Sequence, residues 1–104
     1  MTKIINLPRH EYDKVNGTSF WGNTICTSAN EICEKLDVDI TCYDGDKTTF
    51  EFELETETGI PFTIYDWKEW RVNEDTRLYY HIGARTAADS RVVAEILKSE
   101  YGLK

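Results

Sequence analysis

The 104-residue chain contains no apolar run near the ~20 residues that a membrane-spanning helix needs, and it does not open on a basic segment followed by an apolar core. A soluble, cytoplasmic protein is expected. Cysteine is scarce and odd in number: Cys26, Cys33 and Cys42 match neither a CxxC pair nor a four-ligand zinc set. Reduced, buried thiols are therefore expected, with a single disulfide that leaves one thiol over as the alternative, and neither a metal nor a cofactor is called for. There is no GxGxxG, no P-loop lysine, no internal repeat and no low-complexity tract. Only two histidines are present, and neither falls in a catalytic or metal-binding pattern.

Basic charge is lacking in the first two thirds. Residues 1–67 hold 13 acidic and 5 basic side chains, residues 68–104 hold 6 and 7, and the net charge is −7. Ten of the carboxylates lie between Glu31 and Glu57, opposed only by Lys35 and Lys47. Such a chain is repelled by nucleic acid and anionic lipid and attracted to basic proteins. Aromatic content is high, with three Trp, six Tyr and four Phe, which excludes disorder and supports a core within one domain of residues 1–104.

Within that domain, residues 1–25 read as an irregular segment packed on the rest, with a possible short strand at Lys3–Leu7 ended by Pro8 and an ordered loop over His10–Asn23. A first helix is marked by the capping-box spacing of Ser28 and Glu31 and by the stripe Ala29, Ile32, Cys33 and Leu36, ending near Asp37. The period then changes to two. Val38, Ile40 and Cys42 alternate with Asp39, Thr41 and Tyr43, and Asp44-Gly45 offers a hairpin turn into a second strand over Thr48–Glu57. A third strand follows Gly59 and carries Ile60, Phe62 and Ile64 on one face, with Pro61 at its start. Lys68–Thr76 reads as a loop, and Arg77–Gly83 as a fourth strand with Leu78, Tyr80 and Ile82 on one face. The last helix starts at Thr86 and Asp89, carries the stripe Val92, Val93, Ile96, Leu97 and Tyr101, and stops at Gly102. The pattern predicts an α+β two-layer sandwich: a four-stranded antiparallel meander with one helix before it and one after it.

Within this frame the acidic strand is the leading candidate for function. Glu51, Glu53, Glu55 and Glu57 alternate with Phe52 and Leu54, so the carboxylates share one face at spacings of about 6.6 to 6.8 Å. A row like this serves as a solvated face, as an edge protected by charge, or as a ladder that occupies Lys and Arg sites on a basic partner. Asp37, Asp39, Asp44 and Asp46 on neighbouring segments enlarge the patch. Tyr65 and Trp67 project on the face opposite Phe62 and Ile64, Tyr79 and His81 do so one strand later, and Trp70 follows in the loop. These rings either anchor a protein partner or pack against the N-terminal segment.

A separate candidate is the strand-to-helix passage His81 to Thr86. There Arg85, Thr86, Arg91 and His81 would bind a small anion such as a signalling nucleotide at a helix N-terminus; an ordinary capped helix is the competing reading. For catalysis, His10 with Glu11 and Asp13, or His81 with Asp66, offers a base and its orienter, and Cys26 or Cys42 a nucleophile. No spacing fixes any such pair in space, so the reading leans away from an enzyme.

The block Phe62-Thr-Ile-Tyr-Asp-Trp67, followed by Tyr80-His-Ile-Gly-Ala84 and a terminal helix, resembles small uncharacterised bacteriophage and prophage proteins over less than half of the chain. The resemblance implies an inhibitor that binds a host enzyme or defence component, acting in the host cytoplasm, and it carries over no site residue. Together with the charge map it leads to a stoichiometric binder of a basic, nucleic-acid-handling host protein. Glu51, Glu53, Glu55 and Glu57 would supply attraction and Tyr65, Trp67 or Trp70 the anchors. A homo-oligomer that pairs its open sheet faces is a further expectation.

Overall fold

A computed structural model describes residues 1–41, 50–67 and 72–104. The expected hairpin at Asp44-Gly45, and Cys42, Asp46 and Trp70, lie outside the described residues. Among those described, the order is β1 (Ile4–Asn6), a 3-10 helix (Arg9–Val15), β2 (Ser19–Thr27), α1 (Ala29–Leu36), β3 (Glu51–Thr56), β4 (Pro61–Tyr65), β5 (Leu78–Ala84) and α2 (Ala87–Glu95), which widens into a π-type turn over Ile96–Glu100. All strands join one antiparallel sheet in the order β1-β3-β4-β5-β2. The α+β class follows the sequence reading. The four-stranded meander does not: only β3, β4 and β5 form one, and the two outer strands come from before α1.

The short strand offered at Lys3–Leu7 is present as β1, whereas the loop expected over His10–Asn23 is corrected to most of the 3-10 helix and the start of β2. Ile4–Asn6 pairs with Leu54–Thr56, and Leu7 N–H extends that edge to the Glu53 carbonyl at 3.0 Å. Ser19–Thr27 pairs with β5, and its register shifts between Phe20 and Thr24, where Gly22 takes φ +94°. Between those pairs β2 spends four residues where β5 spends two, so two extra residues interrupt the regular alternation by which a strand is read from sequence. The expected strand at Val38–Cys42 is also corrected, because Val38–Thr41 is not a strand. β1 already holds part of the β3 edge, and the segment reaches what remains through single bonds. Asn6 exchanges two hydrogen bonds of 2.9 Å with the Asp39 backbone, Thr41 N–H donates to the Glu51 carbonyl at 2.9 Å, and Glu53 N–H donates to Thr41 Oγ1 at 3.0 Å.

Both helices begin as their sequences predict. Ser28 Oγ accepts from Glu31 N–H at 3.2 Å and Thr86 Oγ1 from Asp89 N–H at 3.0 Å. Asp37 closes α1 in the left-handed conformation, φ 55°. Val92 departs from its expected stripe and is exposed; the buried face of α2 is Ser90, Val93 and Ala94, continued by Leu97. Ser90 is wholly buried because Asn23 Nδ2 on β2 donates to its hydroxyl at 2.7 Å, which fixes α2 against that strand.

A single core forms where Ala29, Ile32 and Leu36 of α1 and Val93, Ala94 and Leu97 of α2 meet Ile4, Ile25, Phe52, Leu54, Phe62, Ile64, Tyr80 and Ile82 of the sheet. Each such side chain fully buried contributes roughly 1.5–3 kcal/mol. The helices therefore cover one face. The opposite face carries Glu51, Glu53 and Glu55, then Thr63 and Tyr65, then Tyr79, His81 and Gly83, as the pairing register dictates.

Candidate acidic and aromatic pocket

On that second face the central strand β4 is buried on both sides, since Thr63 is covered as well as Phe62 and Ile64. The cover comes from the N-terminal segment. Val15, Asn16 and Thr18 lie over the sheet and, with Glu51, Glu53, Thr63, Tyr65 and Trp67, line an open pocket of about 370 Å³. Lys14 secures one flank, its ammonium 2.6 Å from Glu11 Oε1 and 3.4 Å from Glu55 Oε1. Arg85 ties down the same residue, donating to the Lys14 carbonyl.

Gly83 makes the floor possible. A Cβ at this position would stand 2.3 Å from Thr63 Oγ1 and 3.4 Å from Tyr65 Cε1, so only a glycine admits both side chains at this crossing. Beside it the rings are ordered: Phe20 stacks on His81 with centroids 3.9 Å apart, and Tyr65 stands edge-on to both His81 at 5.5 Å and Trp67 at 6.2 Å. Burial in this setting pushes the His81 imidazole below its ordinary value and the Tyr65 phenol above its own, the latter helped by the Glu51 charge.

The acidic row is not a uniform ladder. Glu51, Glu53 and Glu55 are half-buried, while Glu57 lies past the end of β3 and is exposed. Glu55 is neutralised by Lys14. Glu51 and Glu53 pair with no Lys or Arg among the described residues and share a hydrogen bond instead, which requires a proton on one of them. Burial first, then that hydrogen bond and the Glu51 charge, push the Glu53 carboxyl up to about 7. Glu53 Oε2 is enclosed and has no hydrogen-bond partner among the described residues. Burial and the neighbouring carboxylate thus favour the protonated form of Glu53 at this acceptor-rich pocket wall.

Of the expected anchors, Tyr65 and Trp67 meet Glu51 and Glu53 at the pocket, and Trp67 remains 40% exposed. Tyr79 is 68% exposed on the same face, and Trp21 is tied by its indole N–H to the Ala84 carbonyl at 2.8 Å. The residues of the alternative anion site are engaged elsewhere: Arg85 on Lys14, Thr86 on its own cap, His81 in the ring stack, with Arg91 exposed on α2. Asp89 in the first turn of α2 already answers the helix dipole. Cys26 and Cys33 carry free thiols and are half-buried, and no group of three metal-ligating side chains forms among the described residues. Val15, Asn16 and Thr18 were not legible as pocket residues, since they reach it from more than thirty positions before β3. Thr63 was legible, sharing the facing of Tyr65 by alternation.

No helix among the described residues is long and apolar enough to cross a membrane. No family model, curated protein or solved structure matches the chain.

Proposed function

We propose that the chain is a stoichiometric binding protein that docks its acidic and aromatic sheet face on a basic, nucleic-acid-handling protein of a bacterial host, in the manner of a phage-encoded inhibitor. One observation carries the reading: Glu51 and Glu53, which have no basic partner among the described residues, are brought together with Tyr65 and Trp67 around one pocket on the face that the helices leave uncovered. Carboxylates at a recess repel phosphate and attract Lys and Arg, and nearby Trp and Tyr supply the apolar contact that a charge pair alone lacks. The proposal includes no catalytic step.

The test is capture from a bacterial lysate by the tagged full chain at about 50 and about 500 mM salt, repeated with Glu51→Lys. A basic nucleic-acid-handling protein retained at low salt, released at high salt and missed by the variant is the expected result, because attraction between exposed charges weakens as the screening length shortens. Retention that ignores both salt and the Glu51 substitution would overturn the reading.

A further inference from the structure

We propose that the pocket bounded by Glu51, Glu53, Tyr65 and Trp67 is a receptor for one guanidinium group, so that the partner docks by inserting a single arginine side chain. The inference rests on the reading above and makes it specific. At about 370 Å³ the pocket sits at the lower end of the ~300–1,000 Å³ range of small-ligand sites, suited to one side-chain head rather than to a strand or helix.

Its chemistry selects among such heads. An anion meets two carboxylates. A neutral apolar group would take the pocket-lining carboxylates of Glu51 and Glu53 out of water without supplying a donor, at a cost of roughly 1–3 kcal/mol for each polar atom left unsatisfied. An ammonium supplies charge but has no flat surface, whereas guanidinium offers five N–H donors in a plane whose face stacks on an aromatic ring. Tyr65 supplies such a ring beside the two carboxylates, and Trp67, near-parallel to His81 at 6.4 Å, lines the same pocket. Among the described residues the neighbouring cation, Lys14, is not available for the role, since it is held between Glu11 and Glu55.

Occupancy should be coupled to a proton. Among the described residues the ionisable groups around Glu53 are Glu51 and Glu55 on β3, Tyr65 on β4, His81 on β5 and Lys14 on the 3-10 helix. Among them Glu53 titrates near neutrality, at about 7, and an arriving cation displaces its proton. Binding then tightens as pH rises through 6 to 7, approaching tenfold per unit where one proton is released, and levels off above that.

The experiment titrates the full chain at low salt with three blocked tripeptides, Gly-Arg-Gly, Gly-Lys-Gly and Gly-citrulline-Gly, following amide and indole resonances by NMR. Expected are saturable shifts at Trp67, Thr63 and Gly83 with arginine, at least fivefold weaker binding with lysine, none with the uncharged citrulline, and at least a tenfold loss in Glu51→Gln with its amide dispersion intact. Equal responses to arginine and citrulline, no saturable response to arginine, or an unchanged affinity in Glu51→Gln would overturn the inference. If the tripeptides fail while salt-labile capture still depends on Glu51, the guanidinium receptor falls and the basic-partner reading stands. If arginine binds as expected and no basic protein is captured, the reverse holds.

Discussion

Glu53 shows how a residue legible as a surface acid becomes a half-buried one. Its alternation with Phe52 and Leu54 set its face correctly, but the cover over that face comes from the 3-10 helix, whose own sequence gives no sign of where it will dock. The consequence is a carboxyl pushed up to about 7. In the window between the ordinary carboxylate range and about 7, the folded state holds a proton that the unfolded chain has released, so this group makes stability fall as pH rises and then level off. Glu53→Gln removes the titration and keeps the shape. Denaturant unfolding of both proteins should show the variant gaining on the parent from pH 5 to pH 8 by about 1 kcal/mol, a figure reduced for solvent screening of a half-buried group. A constant difference across that range would mean that Glu53 ionises normally.

At the scale of elements, the sequence was readable wherever a local rule decided the outcome. Ser28 with Glu31 and Thr86 with Asp89 marked both helix starts, and β3, β4 and β5 lie close to where their alternation put them. It was unreadable where two segments compete for one edge. Val38 to Thr41 has the alternation of a strand, yet Ile4 to Leu7 takes part of the β3 edge and leaves that segment only single bonds. Pairing between such distant segments is set by tertiary contact, which outweighs local propensity. The crossing of β4 and β5 at Gly83 gives an element-scale prediction. Gly83→Ala drives a methyl into Thr63 Oγ1 and should cost about 1–3 kcal/mol, the usual range for overpacking. Thr63→Ala removes the opposing atom, so the double variant should recover much of that loss. Additive losses in the double-variant cycle would show that the two side chains do not meet.

For the molecule as a whole, the acid is both a burden and a means of attraction, and salt separates the two. The net charge is −7 and the axes of the fold measure 35 × 28 × 24 Å. At 10 mM salt the screening length is about 30 Å, so every carboxylate feels most of the others; at 0.15 M it is about 8 Å, and only neighbours interact. Self-repulsion among like charges opposes the compact state, so added salt should raise the melting temperature at pH 8. The rise should shrink as pH approaches the isoelectric point near 4.7, where the net charge vanishes. Association with a basic partner should respond in the opposite sense, its rate falling over the same salt series, because screening removes the attraction that steers encounter. Thermal melts and association rates measured on matched buffers therefore test the carboxylates in both roles. If salt raises the melting temperature but leaves the association rate unchanged, the acidic face acts only on the fold's own stability. If it lowers the rate in the parent but not in Glu51→Lys, the steering charge lies at the pocket and not in the diffuse charge of the chain.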